Sequence, residues 1–155
     1  MIVSRLRSAM LLLCVGALLG GCQPADTRPG LWLSGEPAPY PEDWTFAHAY
    51  PEIALEVSTP YLLPHSITIW CAALDGDLYI AAGRPETKNW PGWVDADPNV
   101  RIRVGDDLYE ARVVPLEDEA LIRRVMAVQA EKYGFEVPSG PTGTRYWVVT
   151  PRDAA

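Results

Sequence analysis

The chain has 155 residues, 48% of them apolar, and a formal net charge of −7. That is enough apolar matter for one domain with a core, and it excludes an intrinsically disordered polymer. The 13 basic groups less Arg5 and Arg7, which lie in the first segment, leave 11 against 20 acidic ones, a balance of −9. That sign excludes nucleic acid, which needs a basic footprint, and charge-driven binding to anionic lipid.

The first element is a leader. "MIVSRLR" is a basic n-region, and "AMLLLCVGALLG" is an apolar run too short to cross a bilayer comfortably. It ends in "LLGGC", Leu18 to Cys22, which resembles the bacterial lipobox, with Leu19 three places before the cysteine and Gly20 and Gly21 between. The resemblance implies that residues 1–21 are a lipoprotein signal peptide and that Cys22 carries lipid. It places the protein in the bacterial cell envelope. Gln23, rather than an aspartate, follows the cysteine. By the sorting rule for such proteins this points to the outer membrane, facing the periplasm. An ordinary signal peptide with a chance cysteine is the alternative. Cys14 leaves with the signal, so Cys71 is alone in the mature domain and no internal disulfide is expected. Its setting, "ITIWCAAL", reads as a buried strand and the thiol as inert packing rather than a nucleophile.

Residues 22–43 read as a lipidated tether and a Pro-rich entry, with Pro37, Pro39 and Pro41 keeping the backbone extended. The domain is expected over 44–155. "EIALEVST" (Glu52–Thr59) alternates, with Ile53, Leu55 and Val57 on one face. "SITIWCAAL" (Ser66–Leu74) is apolar on both faces, as a central strand is. Asp75–Asp77 is a tight turn built on Gly76, and "LYIAA" (Leu78–Ala82) is the returning strand. Val100, Ile102 and Val104 alternate with Arg101 and Arg103. A two-residue loop then sets Tyr109, Ala111 and Val113 on the valine face and Glu110 on the arginine face; a three-residue loop would set the valines against Glu110 and Arg112. "EDEALIRRVMAVQAEKYG" is a helix over about 118–132, with Leu121, Val125 and Val128 in a stripe flanked by Ile122 and Met126, and Gly134 where a C′ residue belongs. "TRYWVVTPR" (Thr144–Arg152) closes the chain as a strand stopped at Pro151. These elements predict a mainly β domain with one or two helices: a six-stranded antiparallel barrel with the helix packed over an open end.

From Thr87 onward a family resemblance appears. "TKNWPGWVDADPNVRIRVGDDLYEARVVPLEDEA", the turn "ADPNVRIRVG" and the closing "YWVVTPR" resemble the split-barrel flavin-binding superfamily, which includes the pyridoxamine 5′-phosphate oxidase-like proteins and the deazaflavin-dependent nitroreductases. The similarity covers roughly residues 50–152. It implies a split β-barrel, FMN or a deazaflavin as cofactor, a short helix after the phosphate contact, and a homodimer whose neighbouring subunit helps enclose the cofactor. Thr87 and Lys88 fall where the family contacts cofactor phosphate, with Arg84 beside them. His65 and Ser66 fall where the family carries an arginine and a small polar residue. Trp70, Trp90 and Trp93 would form an apolar wall.

A second reading of each residue stands beside this. Arg84, Thr87 and Lys88 also read as a solvated turn, Trp90 and Trp93 as aromatic residues closing a core edge, and His65 as a satisfied loop residue. Two histidines and one buried cysteine do not make a metal site, and no nucleophile elbow, Walker loop or dinucleotide fingerprint is present. The many carboxylates sit in turns and at the helix start, where solvation explains them. Two functions follow: a membrane-anchored flavin- or deazaflavin-dependent oxidoreductase, in which the protein positions a cofactor that does the chemistry, or a non-catalytic envelope lipoprotein with a binding or structural role.

Overall fold

The computed structural model describes residues 30–152. The leader, Cys22 and the polar stretch up to residue 29 lie outside them. The described elements are β1 (Glu36–Ala38), β2 (Ile53–Val57), β3 (His65–Ile69), β4 (Cys71–Leu74), β5 (Asp77–Ala82), α1 (Trp90–Ala96), β6 (Asn99–Val104), β7 (Asp107–Pro115), α2 (Glu119–Tyr133) and β8 (Arg145–Pro151), with short 3-10 turns at Thr45–Ala49 and Pro85–Thr87. Seven strands form one antiparallel path in the order β3-β2-β6-β7-β8-β5-β4, and β1 adds in parallel to β7.

The expected strand from Ser66 to Leu74 is bent at Trp70. Its first half, β3, forms one edge of the path and its second half, β4, forms the other. A single residue thus joins the two ends of the sheet, and the sheet must curl into a half-barrel. Counted as one bent strand, these two pieces restore the six strands expected from the sequence. The two-sided apolarity that marked this stretch as central has the same cause: Cys71 and Ala73 face the barrel interior, while Ala72 faces the layer under α2.

The hairpin register follows the alternation. Ile102 opposes Tyr109 and Val100 opposes Ala111, around a two-residue loop of Gly105 and Asp106. Val100, Ile102, Val104, Tyr109, Ala111 and Val113 are all buried in one core. Gly105 has a positive φ of 60°, and a Cβ there would lie 2.8 Å from the Tyr50 hydroxyl, so both backbone and space demand glycine. Asp75 and Gly76, at φ 55° and 90°, make the other two-residue hairpin, between Leu74 and Asp77.

α2 lies elsewhere than expected. It covers the outer face of β4, β5 and β8, where Val125 and Met126 pack with Ala72, Tyr79 and Tyr146. These three strands are apolar on both faces, so burying their outer side removes more apolar surface from water than closing a barrel end would. α1 takes the position near the barrel end instead, burying Trp90, Pro91 and Val94. The termini of α2 match the sequence. The Asp118 carboxylate accepts from the Ala120 and Leu121 amides, and Gly134 sits at φ 71°. Asp118→Ala is expected to lower stability by about 1 kcal/mol, measured by urea denaturation; no change would mean that water replaces the cap without loss.

The Pro-rich entry is laid on the barrel. Besides β1, Gly30 and Leu31 are tied to Ser66: the Gly30 amide donates to Ser66 Oγ at 2.8 Å, and Ser66 Oγ donates to the Leu31 carbonyl at 2.6 Å. The Leu33 amide donates to Glu56, which is 7% exposed and receives a bidentate fork from Arg101 at 2.8 and 2.7 Å. Glu56 is a departure from the reading of carboxylates as solvated groups. Glu56 and Arg101 are directly opposed across β2 and β6 on the outer face, and the entry segment roofs them.

Candidate functional site

The half-barrel is split. The β4–β5 ladder ends where Cys71 opposes Ile80, while β3 peels away to pair with β2. Between β3 and the end of β5 lies a cleft of about 790 Å³, bordered by His65, Ile67 and Ile69 on one side and Ala81, Ala82 and Gly83 on the other. The turn after β5 and α1 supply Thr87, Lys88, Trp90 and Trp93; α2 and the residues after it supply Met126, Gln129 and Phe135. That volume falls within the roughly 300–1,000 Å³ usual for a small-molecule site.

Of the residues singled out in the sequence, His65, Thr87, Lys88 and Trp90 come together here, with Trp70 and Trp93. Arg84 and Ser66 are not among the lining residues. Arg84 stands at φ 51° before the 3-10 turn and is exposed. Ser66 faces away, its hydroxyl occupied by Gly30 and Leu31. Thr87 Oγ1 donates to the Arg84 carbonyl at 2.8 Å, and the Lys88 ammonium donates to the Gly83 carbonyl. Both residues therefore close their own turn while bordering the cleft. Lys88 retains two further ammonium protons and the Thr87 oxygen can still accept. A phosphate at this rim meets one cation here, without convergent aid from Arg84.

The aromatic residues divide. Trp90 is 5% exposed and its ring lies 5.0 Å from that of Trp147, so it closes the core. Trp93 meets His65 edge-on at 5.4 Å and Tyr61 at 6.2 Å. Trp70 is the open one, 48% exposed, stacked on Tyr133 at 4.3 Å and nearly parallel to Phe135 at 6.2 Å. Phe135 carried no sequence signal of its own. It is turned toward Trp70 because α2 ends in a left-handed glycine, with the Phe135 amide donating back to the Ala130 carbonyl at 3.2 Å.

Gln129 was missed as well. It is 4% exposed, lines the cleft from α2, and its Nε2 has no hydrogen-bond partner. In the sequence it is one polar residue inside an amphipathic stripe.

Cys71 is wholly buried. Burial pushes its thiol up, against the opposing pull of the Lys132 ammonium 3.4 Å from Sγ. Lys132 also donates to the Ala47 and Cys71 carbonyls, and the Tyr133 hydroxyl to that of Cys71. Burial is likewise the main cause that pushes the Tyr133 hydroxyl up. These contacts pin α2 to β4.

The fold is a split β-barrel of the pyridoxamine 5′-phosphate oxidase-like type. No family model matches the chain, and no curated protein matches it. Solved structures do. A conserved hypothetical protein from Mycobacterium tuberculosis superposes with a TM-score of 0.58 at 16% identity, over 84% of this chain and 86% of that one. A proposed pyridoxamine 5′-phosphate oxidase from Listeria innocua gives 0.55 at 17% identity, over 69% and 88%. A FAD-binding protein from Mesorhizobium loti gives 0.50 at 14% identity, over 69% and 85%. At these identities the likeness is one of fold.

Proposed function

We propose that this chain is a lipid-anchored envelope protein, held at the outer membrane and facing the periplasm, whose split barrel binds a flavin or deazaflavin in the cleft and serves oxidoreduction. The carrying observation is the cleft itself: a split of about 790 Å³ with an exposed indole on one wall and one lysine at its rim. The residues fit the ring system of such a cofactor. The lining is mainly apolar and aromatic, and the unpaired amide of Gln129 matches a polar ring edge. Trp70 and Phe135 would bear on the ring, and Lys88 on the phosphate. When bound, the cofactor supplies the hydride or electron transfer; the chain binds it, orients it and excludes water.

Anchoring is supported by "LLGGC" and by where the domain begins. Leu31 and Trp32 are 51% and 61% exposed, and Leu62, in the loop just before β3, is 95% exposed. The Gly30–Ser66 contacts bring the start of the domain to that loop. These are the side chains suited to a bilayer interface.

The second reading, a non-catalytic envelope lipoprotein, is favoured by one observation: the Thr87 hydroxyl and the Lys88 ammonium already donate to carbonyls of their own turn. One titration separates the two. Lys88→Ala is expected to weaken FMN binding about tenfold, the lower end for a hydrogen bond to a charged group, and to leave riboflavin, which lacks the phosphate, unchanged. Wild-type protein that binds neither ligand nor a deazaflavin, and purifies without visible absorbance, would establish the second reading.

A further inference from the structure

We infer that Gln129 is the specificity-determining polar contact of the cleft, and that the ligand is a flat heteroaromatic compound, neutral or anionic, with a carbonyl or ring-nitrogen acceptor at its buried edge. The inference rests on the flavin reading for the place of the ring, but not for its identity. Three observations carry it. Gln129 Nε2 is out of contact with solvent and without a partner, in a residue that lines the cleft. A buried donor in that state destabilises the protein, so its retention needs a reason. Packed in α2 beside Val125, Met126 and Ala130, the residue borders the cleft, with Nε2 itself enclosed. No carboxylate lines the cleft among the described residues, and Lys88 does, which excludes cationic ligands by charge. Trp70, half exposed and backed by Tyr133, and Phe135, nearly parallel to it, both line the cleft and supply aromatic surface for a flat ring system.

An amide kept unpaired for a ligand has a signature that a structural amide lacks: removing it stabilises the free protein and weakens the complex. The experiment uses the full chain purified in detergent, as wild type and as Gln129→Met, which keeps the volume and removes the amide. The thermal midpoint without ligand is expected to rise by about 3 °C. Riboflavin, which carries ring carbonyls and no phosphate, is expected to bind about tenfold more weakly by fluorescence quenching. In the wild type, the side-chain amide resonances missing from the variant should shift on titration with riboflavin, and with lumazine, a two-ring dione.

Equal riboflavin affinity in both proteins would overturn the inference. So would a variant that loses both stability and binding, because the amide would then be holding the fold. Wild type that ignores riboflavin while lumazine shifts the Gln129 amide would sink the flavin reading and leave this inference standing. If neither compound moves that amide, the inference is wrong.

Discussion

Glu56→Leu is expected to destabilise the domain by about 3 kcal/mol. The carboxylate is nearly enclosed and takes both nitrogens of the Arg101 fork and the Leu33 amide. Removing it leaves a guanidinium and a backbone donor without their acceptor under the entry segment. Breaking one partner of a buried pair costs roughly 3–5 kcal/mol. The lower end applies because the Arg101 side chain is 28% exposed, so water reaches it. The hydrogen bonds that Arg101 donates to Glu56 are also the main reason that its pKa is held above the ordinary value. Glu56→Gln keeps an acceptor oxygen and is expected to lose less. Glu56→Leu combined with Arg101→Met removes the uncompensated charge and should recover a good part of the loss. Urea denaturation of the four proteins measures this. A double variant no better than Glu56→Leu alone would show that the pair's charges are not what the roof depends on.

Cys22→Ser is expected to abolish lipid labelling and to leave an unprocessed or released protein. Each buried CH₂ of an acyl chain contributes about 0.8 kcal/mol, and one chain alone gives only marginal, reversible anchoring. The exposed Leu31, Trp32 and Leu62 add a few side chains to that, which can orient the domain at the bilayer but not hold it there alone. Labelling with a radioactive fatty acid and membrane fractionation are the measurements. Labelling and fractionation that both stay as in wild type would refute the lipoprotein reading. Loss of label with retained membrane association would mean that the uncleaved leader or the apolar patch anchors the chain.

Local rules made much of this protein legible from its sequence. The hairpins at Asp75–Gly76 and Gly105–Asp106 were readable because period-two alternation and turn glycines act over a few residues, and one burial face tolerates one register. The end of α2 at Gly134 and its cap at Asp118 are legible for the same reason. The grouping of His65, Thr87, Lys88 and Trp90 came from the family resemblance, not from spacing.

What only the tertiary structure decided depends on contacts between residues far apart in the chain. The bend at Trp70 sends one apolar strand to both ends of the sheet, and periodicity is blind to a corner. Glu56 is buried because Leu33 and Arg101, 23 and 45 residues away, converge on it. The Ser66 hydroxyl is taken up by Gly30 and Leu31, more than thirty residues away in the chain, and Ser66 is not among the residues that line the cleft. Gln129 reads as one polar residue in a helical stripe until the fold encloses it beside a cleft with its amide unpaired. A sequence records which groups can hydrogen-bond; which of them is left without a partner is fixed only when the whole chain has packed.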